Sequence, residues 1–165
     1  LLIFLFISIQ ANSNDQIKIR FVYMDYIFKN SSAGKKISKN VVDKRKKILI
    51  KSKDTEAKLT KQKNDILAKQ KILEKDEFEK KVISHQKDVE EFQNKRKQEL
   101  QDISKSNIKM TTDFLKKVDQ ILLDYANDNK IDLILKKETL IVSNSKLDIT
   151  NDILSIVEKK NRLIM

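Results

Sequence analysis

Apolar and polar residues first fall into a regular pattern in IKIRFVYMD, residues 17–25, where Ile17, Ile19, Phe21 and Tyr23 recur with a period of two on one face. That period is the signature of a strand. Val22 and Met24 make the opposite face partly apolar, so the strand is expected to be covered on both sides. The next stretch, YIFKNSSAGKK, reads as a short connector or helical turn, with Ser31 and Ser32 as candidate caps for a following helix.

From residue 33 to residue 127 the period changes. Val89, Phe92, Leu100, Ile103, Met110, Phe114, Val118, Ile121 and Tyr125 form one stripe, completed by Arg96 and Asn107 at steps of three and four. The stripe advances 36 residues in ten steps, a period of 3.6, which predicts a nearly straight helix and not a strict heptad supercoil. Ile37, Val41, Ile48, Thr55, Leu59, Ile66 and Leu73 repeat the theme more thinly in the earlier half. Two helices with one stripe each can bury them only against one another or a partner, so an antiparallel hairpin is the simplest arrangement, with its tip at residues 71–78. No Gly or Pro marks that tip, and a single unbroken helix is the alternative. At 1.5 Å per residue, arms of about 45 residues would reach about 65 Å.

After the arm, IDLILKKETLIVSNSKLDIT (residues 131–150) holds two apolar runs, Leu133 to Leu135 and Leu140 to Val142, around a charged break. They predict a β-hairpin, though without the Gly or Asn-Gly that favours tight turns. Ile149, Ile153, Ile156 and Val157 then make one face of a short terminal helix, with Asp152 in its first turn and Lys159, Lys160 and Arg162 at its end, where the helix dipole favours cations. The expected fold class is α+β: a small body of strands from both chain ends carrying a long helical hairpin. Three strands and one helix make a thin core, which points to association of several chains.

The first eleven residues, LLIFLFISIQA, are apolar from Leu1 to Ile9 except for Ser8, and read as the remnant of a signal peptide cleaved after Ala11. As a helix the nine would span about 14 Å against a hydrocarbon core of about 30 Å, too short for a membrane span. A buried first strand is the alternative. Without Pro, and with Gly34 as its single glycine among 165 residues, the chain lacks the turn-formers of a compact globule. It has no Cys, which excludes disulfides, thiol catalysis and Cys-based zinc sites.

Charge is concentrated on the arm. Of 35 basic and 24 acidic residues, residues 35–125 hold 25 and 16, so +9 of the net +11 lies there. Such a surface attracts anionic partners in a salt-dependent way, while for any single lysine solvation of the helix is the simpler role. Catalytic chemistry is not written into the chain: one glycine allows neither a phosphate-binding loop nor a dinucleotide turn, and the single histidine, His85, has no nucleophile or metal-ligand set grouped with it. No enzyme and no cofactor are expected.

IRFVYMDYIFKNSSAGKKIS (19–38) and IDLILKKETLIVSNSKLDITNDIL (131–154), with Ile131-Asp132-Leu133 and Asp148-Ile149-Thr150 flanking the predicted hairpin, resemble the Skp/OmpH family of periplasmic chaperones. The resemblance implies a homotrimer: strands from three chains form a small β-barrel body, and three helical arms enclose a cavity that holds unfolded outer-membrane proteins without ATP. Ile17, Ile19, Phe21, Tyr23, Leu133, Leu135, Leu140 and Val142 would then build the shared body. Phe78, Val82, Val89 and Phe92 are candidate client contacts, or alternatively packing within the hairpin. The family's basic lipopolysaccharide-binding cluster on the arm has its nearest counterpart in Lys95, Arg96 and Lys97, which suggests lipopolysaccharide or an anionic membrane surface as a further partner. The location implied is the periplasm. A basic coiled coil that binds nucleic acid, and a purely structural envelope spacer, are the competing functional readings.

Overall fold

The computed structural model describes residues 16–162. Strand β1 (Ile19–Val22) leads into a short helix α1 (Met24–Asn30), the long helices α2 (Ser32–Ala68) and α3 (Lys75–Asn129), strand β2 (Leu133–Lys136) and helix α4 (Thr150–Arg162). One-turn 3-10 segments at Lys137–Thr139 and Ser145–Leu147 interrupt the link between β2 and α4. Residues 1–11, read above as a signal peptide remnant, lie outside the described residues.

The two long helices form an antiparallel pair joined at residues 69–74, where Lys69 and Gln70 donate their backbone N–H groups back to Ile66 and Leu67. A 3-10 tightening of the last turn replaces the missing glycine. With 55 residues α3 is about 80 Å long, and the 37 residues of α2 span about 55 Å. The pair meets along the two sequence stripes: Ile66 on α2 and Ile103, Phe114, Val118 and Ile121 on α3 are buried, and most other stripe residues are half-buried. Leu100 stays 43% exposed.

α1 and α2 are separated by one break. Ser31, fully buried, has extended backbone (ψ 147°), and its hydroxyl accepts from the N–H of Gly34 at 3.1 Å. Gly34 is obligatory at this joint because a Cβ there would lie 1.8 Å from the carbonyl oxygen of Phe28. The carboxylate of Glu158, on α4, accepts from the backbone N–H of Ser32 at 2.6 Å and from its hydroxyl, placing a negative charge on the α2 N-terminus. Root of arm and terminal helix are thereby tied together.

The core sits beneath this joint, where Val22, Ile27, Phe114, Val118, Ile153 and Val157 bring β1, α1, α3 and α4 into contact. Phe28 and Phe114 meet edge to face, ring centroids 5.4 Å apart.

Two expectations from the sequence do not hold. The first strand covers residues 19–22 and not 17–25, because Tyr23 turns the chain into α1. The predicted β-hairpin is absent: Lys137–Thr139 is a 3-10 turn, and Leu140, Ile141 and Val142 belong to no strand. Instead β2 pairs with β1 in parallel, Ile19 opposite Leu133 and Val22 opposite Lys136. The helical hairpin supplies the long crossover that a parallel pair requires. Nothing in KKET offers the positive φ that a two-residue antiparallel turn needs. The opposite edge of β1 is met by a parallel bridge from Phe21 to Asp148, where Ile149 N–H donates to the Phe21 carbonyl at 3.0 Å.

Candidate functional site

Two short motifs hold the body closed. In Ile131-Asp132-Leu133, Asp132 accepts from the backbone N–H of Lys18 at 2.7 Å, and the Lys18 ammonium donates to the carbonyl of Asn129, also at 2.7 Å. α3 ends just before, on Lys130 in the left-handed region (φ 53°), with Ile131 N–H returning to the Ala126 carbonyl. In Asp148-Ile149-Thr150, Asp148 accepts from the N–H and hydroxyl of Thr150, capping α4. The Thr150 hydroxyl oxygen accepts from Tyr23 N–H at 2.9 Å, which pins the end of β1 to the start of α4.

The sheet has two unlike faces. Val22 and Ile134 point into the core. Ile19, Phe21, Leu133 and Leu135, brought into register by the parallel pairing, share the other face. Phe21 is buried, while Ile19 is 37% and Leu133 45% exposed. The Lys137 ammonium covers part of this face, 5.8 Å from the Phe21 ring centroid and 5.7 Å from that of Tyr23. This explains the charge in KKET: the turn lies on an aromatic surface. Ile17 precedes β1 and is 73% exposed, Leu140 is half-buried, and Val142, 87% exposed, touches almost nothing beside a completely exposed Ile141.

On the arm, the seam between α2 and α3 is only partly closed. Val82, Val89 and Phe92 line a cleft of about 670 Å³ together with Leu59, Ile66 and His85. A smaller cleft of about 330 Å³ opens nearby, bordered by Ser52, Thr55 and Lys95. Phe78, in the first turn of α3, is half-buried. Three of the four predicted client contacts thus stand together in the seam, half-buried and facing the other helix, while Phe78 lies nearer the tip. His85 is placed 3.5 Å from the side-chain oxygen of Gln62, whose amide donates to Asp88.

Lys95, Arg96 and Lys97 are not brought together as one cluster. Arg96 turns across the seam to Glu56 at 2.9 Å, while Lys95 and Lys97 stay exposed on its flanks. A second bridge, Lys51 to Glu99 at 3.2 Å, also ties the helices. Nearer the body, the Asp124 carboxyl is held below its ordinary range by the Gln120 amide and by the Lys160 ammonium at 3.3 Å, linking α3 to α4. Partial burial, aided by the hydrogen bond that its hydroxyl donates to Asp152, raises the Tyr125 phenol. Asp113 is lowered by its hydrogen bond from Lys109, whose own value is raised by the same contact.

A family model described as outer membrane protein (OmpH-like) matches residues 18–157. The chain belongs to the OmpH-like family. A solved structure described as a "putative outer membrane chaperone (OmpH-like)" from Caulobacter crescentus CB15 shares the fold, with a TM-score of 0.81 at 13% identity, covering 87% of this chain and 85% of that one. No curated protein matches at the level of sequence. The matched span begins at Lys18 and ends at Val157, so both clasp motifs, the arm and the core of the body belong to the OmpH-like fold.

Reading the sequence missed one feature of this OmpH-like arm, the unequal division of charge between its helices. The signal was present in the crowding of Lys and Arg between residues 35 and 53.

Proposed function

We propose that this OmpH-like protein is an ATP-independent periplasmic holdase, acting as a homotrimer that keeps unfolded outer-membrane proteins from aggregating between its arms. The observation that carries the reading is the state of the arm surface: Val42, Leu49, Ile50, Ile83 and Ile108 are each more than half exposed on helices that project from a small body. Dispersed apolar side chains on a charged scaffold suit many weak, replaceable contacts with varied clients. The half-closed seam offers Val82, Val89 and Phe92 as further contacts, with Phe78 near the tip.

The body supports assembly. A two-stranded sheet is not stable by itself, and in the described chain β2 pairs on one edge only. Ile19, Leu133 and the run Leu140 to Val142 would be covered when three such bodies close into a shared barrel, with Phe21, Tyr23 and Leu135 beneath them and Ile17 at the rim. Exposed Lys95 and Lys97 would remain free to meet lipopolysaccharide or an anionic membrane.

A holdase stabilises the unfolded client by RT ln(1 + [L]/Kd), so release follows from competition by folding at the membrane, and no nucleotide is required. The test is to dilute a urea-unfolded outer-membrane β-barrel into buffer with the purified protein and follow light scattering. Suppression at a stoichiometric ratio of trimer is expected; unchanged scattering would sink the reading, and would favour a structural spacer.

A further inference from the structure

The positive charge of the arm belongs to one helix. α2 contains 12 Lys and Arg against 4 Asp and Glu, whereas α3 contains 11 against 12. Within α2 the excess is crowded near the root: residues 35–53 hold nine basic residues and a single carboxylate, Asp43.

Lys39, Val42, Lys46, Leu49 and Lys53 follow one another at steps of three, four, three and four, which places them in one row along the helix. Cation and apolar side chain alternate through the row. The seam residues Val41, Ile48 and Ser52 lie on a different face, so the row is turned away from α3; Val42 is 62% and Leu49 51% exposed, with Ile50 beside them at 53%. Among the described residues none of Lys39, Lys46 and Lys53 comes within ion-pairing distance of a carboxylate, whereas Lys51 pairs across the seam with Glu99. The hairpin gains nothing from this arrangement, since its lysines, two turns apart, pair with no carboxylate and the apolar groups between them stay in water.

We propose that this row is the principal capture surface for unfolded client, and that it recognises extended segments in which acidic and apolar side chains alternate along one face. The inference rests on the holdase reading. From Lys39 to Lys53 the row covers about 21 Å along the helix, against about 27 Å for four same-face steps of an extended chain, a difference that the long lysine side chains can span. A client strand laid along α2 can therefore set carboxylates against Lys39, Lys46 and Lys53 while its apolar residues cover Val42 and Leu49. A bilayer fits less well, because interfacial helices bury a continuous apolar stripe and this one is broken by a lysine at every second place.

The test compares the triple variant K39E/K46E/K53E with K80E/K105E, a charge reversal at two exposed lysines of α3, in suppressing aggregation of a urea-unfolded outer-membrane β-barrel. Circular dichroism and sedimentation establish that both variants keep the fold and assembly of the parent. The triple variant is expected to require about tenfold more protein for half-suppression and to lose most of the salt dependence, with K80E/K105E close to the parent. A V42S/L49S variant is expected to weaken suppression at high salt, and K39R/K46R/K53R to retain it. Parent-like suppression by the triple variant would overturn the proposal and leave the holdase reading standing. Loss of binding to phosphatidylglycerol vesicles with client capture intact would also overturn it, in favour of a membrane surface. Failure of the parent itself to suppress aggregation would overturn both.

Discussion

Gly34 illustrates how much a single position decides. Its missing side chain lets α1 lie against the first turn of α2, with the Phe28 carbonyl where a methyl would be. Gly34→Ala is expected to cost about 1 to 3 kcal/mol in urea unfolding through overpacking against backbone, despite the better helix propensity of alanine. Lys130 is the converse case, a side chain held at φ 53° where glycine is at ease. Lys130→Gly is expected to raise stability by about 1 kcal/mol, and a fall in the urea midpoint would contradict the assignment of α3's end. Titration gives a third expectation at this scale. The folded value of Asp124 is lowered, so its contribution is complete above the ordinary aspartate range and lost as pH falls through the folded value. Tyr125 is raised, so its contribution is present below the ordinary phenol range and lost as pH rises through the folded value. Both sit where α3 meets α4, and the amide exchange of α4 should therefore quicken at the acid and alkaline extremes before the arm unfolds.

At the level of elements, the long helices were legible in the sequence because burial repeats there with a period that no strand can match. The stripe through Ile103, Phe114, Val118 and Ile121 is the buried one, and Ile37, Val41, Ile48 and Leu59 meet it from α2. The strands were harder to read. A run such as Leu140 to Val142 is apolar whether it pairs with Leu133 to Leu135, with another chain, or with nothing, and local pattern cannot choose among partners. Parallel pairing depends on where α3 returns the chain, and that is set by helix length and by Lys18 meeting Asp132, a contact between residues 114 positions apart. The layout of the arm was partly legible: Val82, Val89 and Phe92, candidate contacts in the sequence, do gather in one cleft, whereas Arg96 is drawn from Lys95 and Lys97 by Glu56, which faces it only in the folded hairpin. α4 closes the body through Ile153, fully buried. Ile153→Ala is expected to cost about 2 to 5 kcal/mol and to release α4, measurable as loss of its amide protection.

For the whole molecule, a thin body and long arms divide the work. The eight core residues around Val22, Ile27 and Val118 anchor helices of about 55 and 80 Å, so the arm beyond the body is held chiefly by a half-closed seam. Local opening should start there, with amides near residues 69–74 exchanging first and those near Val118 last. If three chains share one barrel, charges at the exposed run should prevent assembly: Ile141→Asp with Val142→Asp is expected to sediment as a single folded chain and to lose holdase activity. The most direct test of the account is native mass spectrometry of the purified protein mixed with an unfolded outer-membrane β-barrel. It predicts a complex whose mass equals three copies of the chain plus client; a client found free, or bound to a single copy, would contradict it.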